Sequence, residues 1–383
     1  MLKRRLISIC LFVIFVFTSV FAYGDVNITS KSALLMDSST GKIIFSLNEN
    51  EKFAPASLTK IMTLLITMES IDNSRINLDD KVYVSKHAAS IKGSTLFLDE
   101  GESQTVENLI KAVAIRSAND ASVALAEHIL GSEEAFVKYM NERASQLGMN
   151  NTNFTNASGW PDPNLHSTAF DVALMSRELM KHDKVHKYLT IYMEDLAVGK
   201  SKSSIQQMVN TNRLIKDYQG ANGIKTGSTI DAGHCVSGSA VRDDLHLIVV
   251  IMGGKNSKVR FDEAKSLLDY GFANFESLAI GKSGDLIATI PIEKGNFNFV
   301  EIELERDSLA LLPKGKKASV EKSYNHPESI NAPLELGQVV GEMIVTIDGD
   351  EVDRVNLVSN MEIKRGSYVS ILRKTIKSFI TGR

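Results

Sequence analysis

The spacing of apolar residues changes several times along the chain, and each change predicts a different kind of element. Two short runs, residues 32–36 and 42–47, predict a β-hairpin near the start of the folded part. Behind Ser57 the apolar positions recur at the three- and four-residue steps of one helix face, at Ile61, Leu64, Leu65 and Met68. The pattern therefore predicts a strand hairpin that leads into an apolar helix ending near residue 71.

Helix-like spacing also dominates the middle of the chain. It predicts four helices, at residues 106–115, 120–130, 133–147 and 168–181. The chain breaks between the first two at residues 116–119, and either Ser167 or Thr168 is a suitable N-cap for the fourth. Residues 150–165 are rich in Asn, Pro and Gly and predict a loop.

Strand-like spacing returns in the last third of the chain. Residues 234–241 and 245–252 predict two strands joined by a turn, and the second run is nearly all apolar, which indicates burial on both faces. A further helix is predicted at residues 257–275. Because strands both precede and follow the helices, we expect strands from the two ends of this region to share one antiparallel sheet with helices packed on it.

Beyond residue 278 the helix signals stop. Short alternating strands, among them residues 286–292, 299–304 and 339–347, are separated by turns and predict a small all-β domain. We therefore expect an α+β protein, with a sheet-and-helix domain at residues 25–277 and a β-rich domain at residues 278–360.

The two ends of the chain have compositions of their own. Residues 1–24 combine Lys3, Arg4 and Arg5 with an apolar stretch and a small-residue cleavage site, which predicts a signal peptide; an uncleaved anchor is the alternative. Residues 361–383 end in an apolar stripe with a basic opposite side, typical of an amphipathic helix that lies on a membrane surface. A terminal helix docked on its own domain is the alternative there.

Composition and charge exclude some classes of function. A net charge of -3, without a basic cluster that contains aromatic residues, argues against nucleic acid as a partner. Once Cys10 leaves with the signal peptide, an exported chain keeps only Cys235, so we expect no internal disulfide and a small core residue at that position. No zinc-site pattern such as HExxH occurs, and we expect neither a metal site nor a cofactor.

The candidate chemistry begins with a serine and a lysine three residues apart. On a helix these side chains stand over each other, so Lys60 can reach the hydroxyl of Ser57 and activate it as a nucleophile. The S-x-x-K pattern occurs three times, and the other copies begin at Ser39, in a hairpin turn, and at Ser319, in a turn-rich region. Only Ser57 begins a helix, where exposed N–H groups and the helix dipole favour a developing negative charge.

Two further motifs follow in order, Ser117-Ala118-Asn119 and the run from Lys225 to Gly227 with the sequence K-T-G. Alone, the first is compatible with ordinary helix-start residues and the second with a strand that leads into a turn. The ordered set S-x-x-K, S-x-N and K-T-G, each in a suitable predicted context, matches the motifs of penicillin-recognising serine enzymes.

With these motifs the chain resembles the D-alanyl-D-alanine carboxypeptidases, which are the low-molecular-mass penicillin-binding proteins. The resemblance covers nearly the whole chain, and it includes residues 33–37, 40–42, 55–63, 118–121, 123–126 and 232–233. It implies a penicillin-binding/β-lactamase-like domain, an antiparallel sheet flanked by helices, followed by a C-terminal β domain and an amphipathic anchor helix. It also implies a bacterial enzyme in the periplasm, or at the outer face of the cytoplasmic membrane, that removes the terminal D-alanine from peptidoglycan stem peptides and is inhibited covalently by β-lactams.

The resemblance implies a catalytic role for four residues. Ser57 is expected to attack the carbonyl between the two D-alanines, and Lys60, with a pKa lowered by burial and nearby positive charge, to take its proton as general base. Ser117 is expected to relay a proton to the leaving amine. Asn119 is expected to orient Lys60 and the substrate amide.

Five further positions are implied in substrate binding. Lys225 and Thr226 are expected to hold the terminal carboxylate of the substrate, and Gly227 to leave room for the substrate beside its strand. The backbone N–H groups of Ser57 and Ser228 are the expected oxyanion hole. Arg260 matches a family arginine that supports carboxylate binding.

Three positions depart from the family pattern, with Ala118 in place of Gly, Asn222 in place of Asp and His234 in place of Tyr. None removes a catalytic group, so they concern substrate preference.

Three other functions remain as alternatives to the carboxypeptidase. These are a serine β-lactamase, for which the loop at residues 156–166 offers Asp162 but no Glu, a D,D-endopeptidase that cuts crosslinks, and a non-catalytic peptidoglycan-binding protein.

Overall fold

The computed structural model describes residues 26–367. Helices and strands alternate up to residue 274 as β1 (Ser32–Asp37), β2 (Ile43–Leu47), a 3₁₀ turn (Ala56–Thr59), α1 (Lys60–Asp72), β3 (Lys81–Tyr83), α2 (Lys86–Ser90), β4 (Ser103–Thr105), α3 (Val106–Lys111), a π-helical turn (Ala112–Arg116), α4 (Asn119–Leu130), α5 (Glu133–Gln146), α6 (Ala169–Leu179), α7 (Asp183–Leu189), β5 (Met193–Val198), β6 (Ser204–Val209), α8 (Leu214–Asp217), β7 (Ala221–Thr229), β8 (Gly233–Arg242), β9 (Leu245–Gly254) and α9 (Ser257–Asn274). The rest is built of strands, β10 (Phe275–Gly281), β11 (Leu286–Glu293), β12 (Phe299–Leu304), β13 (Ser308–Pro313), β14 (Val320–Asn325), β15 (Ile330–Asn331), β16 (Val339–Ile347) and β17 (Asp350–Ser359).

The central sheet confirms that strands from both ends of the first region pair with each other. Its five strands lie in the order β2-β1-β9-β8-β7, and all neighbours are antiparallel. Strand β1 from the start of the chain is hydrogen-bonded to β9, with Leu34 opposite Val250. Strand β7 is left at one edge of the sheet.

Alternate residues of the central strands enter two separate cores. Leu34 of β1 and Val250 of β9 belong to the core formed with α1, α4 and α6. Their neighbours Leu35 and Val249 belong to a second core, formed with α9. Both faces of β9 are therefore buried, as its nearly unbroken apolar sequence predicts.

The helix predictions hold with local differences. Ser57 lies in the 3₁₀ turn that precedes α1 rather than in α1 itself. The predicted N-cap of α6 is confirmed, because the Thr168 hydroxyl accepts the backbone N–H of Asp171 at 3.0 Å. The sequence analysis predicts none of the elements α2, α7, β5 and β6, each of which is only five to seven residues long.

The C-terminal unit is all β, as expected. Six strands form a sheet in the order β14-β16-β17-β12-β11-β15, and β10 pairs with β13. The unit has its own apolar core, which includes Ile302, Val345 and Leu357. Its first strand begins at Phe275, directly after α9 and a few residues before the predicted start of the β region.

The predicted signal peptide and the predicted membrane helix from residue 368 onward lie outside the described residues. Between residues 26 and 367, no helix is both long and apolar enough to cross a bilayer.

The predicted loop at residues 150–165 packs on the turn that carries Ser57. Its conformation is held by Asn156, whose Oδ1 accepts the backbone N–H groups of Gly159 at 2.7 Å and Trp160 at 2.9 Å. Glu133 accepts the N–H of Ala157 at 2.9 Å. Gly159 has φ +79°, and a Cβ there would lie 1.9 Å from the carbonyl oxygen of Ala56. A glycine is required at this position both by its backbone conformation and by the close approach.

We therefore expect Gly159→Ala to destabilise the protein more than Gly148→Ala. Gly148 has a matching φ of +78°, but nothing lies within 4 Å of its added Cβ, so its cost is the left-handed conformation alone, about 1 kcal/mol. Gly159→Ala adds a steric collision with backbone, which raises the cost by about 1–3 kcal/mol. Urea unfolding of both variants measures the two changes in the free energy of unfolding. Equal losses of stability would show that the loop shifts to accommodate the added Cβ at no cost and would contradict the prediction.

Candidate active site

The structure brings Ser57 and Lys60 into contact as their spacing predicts. Lys60 Nζ lies 3.0 Å from Ser57 Oγ. Ser57 is partly exposed, whereas the side chain of Lys60 is 0% exposed. The residue before the serine, Ala56, has φ 49°, an uncommon conformation for a residue with a Cβ. A strained turn thus presents a reachable hydroxyl above a buried amine.

The amine of Lys60 has two further partners from distant segments. Its Nζ lies 2.7 Å from Oδ1 of Asn119 and 2.5 Å from the carbonyl oxygen of Ser158. Burial holds the pKa of Lys60 well below its usual value, and the charge of Lys225 lowers it further, while Asp120 opposes the shift. Desolvation disfavours the ammonium form, so the site favours a neutral amine beside the serine.

The predicted break at residues 116–119 places the S-x-N motif at the same amine. The π-helical turn ends at Ser117, whose φ of 64° is left-handed, and α4 then begins at Asn119. The Oγ of Ser117 is buried and has no hydrogen-bond partner among the described residues. One N–H of the Asn119 side chain donates to the carbonyl of Lys92 at 2.7 Å, so the amide is fixed while its oxygen faces Lys60.

Residues 92–98, in which the sequence analysis predicts no site residue, lie along this break. The backbone N–H of Asn119 donates to the carbonyl of Ser94 at 2.7 Å. The carboxylate of Asp120 accepts the N–H groups of Leu96, at 3.0 and 3.1 Å to its two oxygens, and of Leu98 at 3.2 Å. Burial raises the pKa of Asp120, and these backbone donors oppose that shift. Asp120 thereby fastens the segment to the start of α4.

Strand β7 carries the K-T-G motif past the Ser57 turn, as expected. A Cβ on Gly227 would lie 2.9 Å from the backbone nitrogen of Ser57 and 3.0 Å from the carbonyl of Pro55, so only glycine allows this approach. Thr226 is buried, and its hydroxyl donates to that of Thr211 at 2.8 Å.

Lys225 is the second buried lysine of the site. Its side chain is 1% exposed, and Nζ donates to the carbonyl of Thr226 at 3.3 Å. Burial, with the nearby charge of Arg260, lowers the pKa of Lys225 to about 7. Its charge in the free protein therefore changes near neutral pH.

Arg260 is held against the backbone of the sheet. One guanidinium nitrogen donates to the carbonyls of Gly227 and Cys235, both at 3.0 Å, and another donates to the Ser257 hydroxyl at 3.3 Å. The guanidinium thus fixes β7 against β8 and adds positive charge close to Lys225. Cys235 itself is a buried free thiol, which confirms its predicted place in the core.

The end of β7 lies in a more open environment. Ser228 is exposed, and its hydroxyl lies 3.3 Å from Nδ1 of His234 on the neighbouring strand. The pKa of His234 is lowered by burial and by the charge of Arg260. His234 is therefore favoured in its neutral form beside the open end of β7.

The remaining sequence candidates lie in other settings. Ser39 is part of a turn in which Asp37 accepts the N–H groups of Ser39 at 3.3 Å and Thr40 at 3.1 Å. Ser319 precedes strand β14 in the C-terminal unit. The Asp162 carboxylate accepts the N–H of Asn164 at 2.8 Å in an exposed turn. Among residues 26–367, no group of three or more His, Cys, Asp or Glu side chains could hold a metal ion.

The fold and the site have counterparts among known proteins. A family model described as D-alanyl-D-alanine carboxypeptidase matches residues 19–256, and one described as penicillin-binding protein 5, C-terminal domain, matches residues 275–365. D-alanyl-D-alanine carboxypeptidase DacF of Bacillus subtilis (strain 168) is 38% identical over 383 residues, with 97% of this chain and 98% of the relative covered. D-alanyl-D-alanine carboxypeptidase DacC of Escherichia coli (strain K12) is 33% identical over 350 residues, and the match covers 89% of this chain and 86% of the relative.

A solved structure supports the same assignment. Penicillin-binding protein 5 from Haemophilus influenzae superposes with a TM-score of 0.71 at 33% identity, and the match covers 88% of this chain and 98% of that one. The chain therefore belongs to the D-alanyl-D-alanine carboxypeptidase family of serine peptidases.

Proposed function

We propose that this chain is a D-alanyl-D-alanine carboxypeptidase in which Ser57 is the nucleophile and Lys60 the general base. The observation that carries the proposal is the 3.0 Å contact between Lys60 Nζ and Ser57 Oγ at a fully buried amine. A neutral amine has two N–H donors, which Asn119 and the Ser158 carbonyl accept, and one lone pair. The lone pair then remains for the proton of the Ser57 hydroxyl.

Acylation follows from this arrangement. Ser57 Oγ attacks the carbonyl carbon of the penultimate D-alanine while its proton moves to Lys60 Nζ. The backbone N–H groups of Ser57 and Ser228 are the proposed donors to the oxyanion. The C–N bond then breaks, and the proton returns to the leaving amine through the Ser117 hydroxyl, which has no other partner among the described residues. Water finally hydrolyses the ester and releases the shortened peptide.

The substrate carboxylate fits the positive end of the site. Lys225 and the buried guanidinium of Arg260 supply the charge. The hydroxyl of Thr226, which donates to Thr211 in the free protein, would turn to donate to the carboxylate. Arg260 donates to backbone carbonyls, so we assign it a positioning role rather than direct contact. Because β7 is an edge strand, an extended peptide can lie along it, and Gly227 leaves room for that peptide.

The place of action is part of the proposal. A signal peptide at residues 1–24 would export the chain, with the catalytic domain at residues 25–277 and the β-rich domain at residues 278–360. Residues 361–383 would attach it peripherally to the outer face of the cytoplasmic membrane. Peptidoglycan stem pentapeptides are the proposed substrate, and β-lactams are the proposed covalent inhibitors of Ser57.

We expect Ser57→Ala to abolish D-alanine release from an acyl-Lys-D-Ala-D-Ala peptide and to prevent mass addition by penicillin. Loss of a nucleophile in this class lowers the rate by about 10⁴–10⁶. Ser39→Ala is the matched control, since Ser39 also begins an S-x-x-K triplet and lies in a hairpin turn; it should release D-alanine at the parent rate.

Other outcomes point to the alternative functions. Penicillin labelling of the parent without release from the short peptide, but with cleavage of crosslinked muropeptides, would indicate an endopeptidase. Rapid turnover of penicillin would indicate a β-lactamase. A folded parent that neither cleaves nor labels would contradict catalysis by Ser57.

We expect kcat/KM to fall as the pH rises above about 7, because Lys225 then loses the charge that binds the substrate carboxylate. Lys225→Arg keeps its charge at all these pH values, so its descending limb should move out of the neutral range. Lys86→Arg, a change at an exposed lysine of α2, is the control and should keep the parent profile. A descending limb that is the same in all three proteins would assign it to another group.

A further inference from the structure

One end of the C-terminal unit presents two exposed phenylalanines. The turn between β11 and β12 carries Phe297, which is 50% exposed, and Phe299 at the start of β12 is 57% exposed. Phe299 pairs with Pro291 on the solvent side of the sheet, whereas the next residue, Val300, is buried. We call residues 294–299 the aromatic turn.

The aromatic turn is fixed to the rest of the unit. Gly295 is so closely packed that a Cβ would lie 2.5 Å from Ile292 Cγ2 and 3.0 Å from Ile363 Cγ2. The N–H of Asn296 donates to the carbonyl of Lys364 at 2.9 Å, and the N–H of Gly366 to the carbonyl of Lys294 at 2.8 Å. These contacts fix the backbone of the turn, and both phenylalanine side chains are exposed on it.

Charge and chain direction indicate what this surface meets. Lys294 of the turn is exposed, as are Lys364 and Arg365 of the segment whose backbone pairs with it. The two acidic neighbours have partners, since Glu293 accepts from Ser329 at 3.3 Å and Glu362 lies 3.7 Å from Lys364. The chain leaves the described part at residue 367, one position after Gly366, which is bound to the turn.

The sequence that follows has the composition of an interfacial helix. Residues 368–380 combine an apolar stripe with Arg373, Lys374 and Lys377. Aromatic rings with a lysine and arginine border are likewise suited to the headgroup region of an anionic bilayer, where the rings enter the apolar boundary and the cations contact phosphate. The segment follows Gly366 by two positions in sequence, and Gly366 is hydrogen-bonded to the turn, so one lipid surface can contact both.

We propose that the aromatic turn is a second membrane contact, which inserts Phe297 and Phe299 into an anionic lipid surface beside the C-terminal segment. The inference builds on the proposed peripheral attachment but does not involve the active site. Two adjacent contacts would strengthen the attachment and restrict the tilt of the C-terminal unit relative to the membrane.

The test uses the chain from residue 25 to 383 and co-sedimentation with vesicles of phosphatidylglycerol and phosphatidylcholine. We expect the double variant Phe297→Ser and Phe299→Ser to partition about tenfold more weakly than the parent, because two apolar side chains no longer leave water. The control replaces two equally exposed apolar residues elsewhere, Leu286→Ser at the far end of β11 and Ile205→Ser on β6. It should partition like the parent.

A fluorescent variant keeps the proposal testable if the serine variant folds poorly. Phe297→Trp in a Trp160→Phe background places the one tryptophan of the chain in the turn. Brominated phosphatidylglycerol should quench its emission. Unquenched emission, or equal partitioning of parent and double variant with a loss of thermal stability in the variant, would show that the C-terminal segment covers the rings instead and would overturn the proposal.

The same protein preparations test the carboxypeptidase proposal independently of the membrane-contact proposal. Release of D-alanine from a soluble peptide does not require lipid, so the double variant and its control should both retain the parent rate. Absence of release from the parent would contradict the carboxypeptidase function without bearing on membrane contact.

Discussion

The buried amine of Lys60 is the constraint on which the rest of the site depends. A lysine nitrogen without solvent must find its partners in the protein, because an unpaired buried polar group costs several kcal/mol. Here they come from three separate segments, the turn at Ser57, the start of α4 at Asn119 and the loop at Ser158. Satisfying one nitrogen therefore requires that all three segments meet. The same burial lowers the pKa of Lys60 and so favours the neutral amine that the proposed general base requires.

Lys60, the proposed general base, and Lys225, the proposed carboxylate-binding residue, are both buried, and their charges are coupled. Lys225 lowers the pKa of Lys60, and Arg260 lowers that of Lys225. An arriving carboxylate reverses part of this balance, because an adjacent anion favours the charged form of Lys225. A more fully charged Lys225 in turn lowers the pKa of Lys60 further. If the proposed roles hold, binding of a peptide carboxylate favours the charged form of Lys225 and the neutral form of Lys60, the two protonation states that carboxylate binding and general-base catalysis require. An uncharged ligand end would not have this effect.

The sequence carried enough information for the sheet, the main helices and the motif residues. Apolar periodicity identifies α1 and strand β9, which is buried on both faces. The N-cap of α6 could be predicted because the Thr168 hydroxyl accepts a backbone N–H only three residues away. Contacts made by the backbone were not predictable. The Ser158 carbonyl has no side-chain signal, and the left-handed conformations of Ala56 and Ser117 occur in residues that rarely adopt them. Contacts with distant segments stabilise these two backbone conformations against the local preference of the residues. Such contacts cannot be predicted from one short stretch of sequence.

The three departures from the family pattern can be judged by the same physical criteria. Ala118 has φ −66° and ψ 123°, which any residue adopts, so its backbone does not require the more common glycine. His234 lies beside Ser228, and its lowered pKa favours a neutral ring that can exchange hydrogen bonds as a tyrosine hydroxyl does. Asn222 lies at the opposite end of β7, away from Ser57. The three departures therefore lie on three different elements, the start of α4, β7 and β8, and none of them replaces one of the groups that hydrogen-bond Lys60 Nζ.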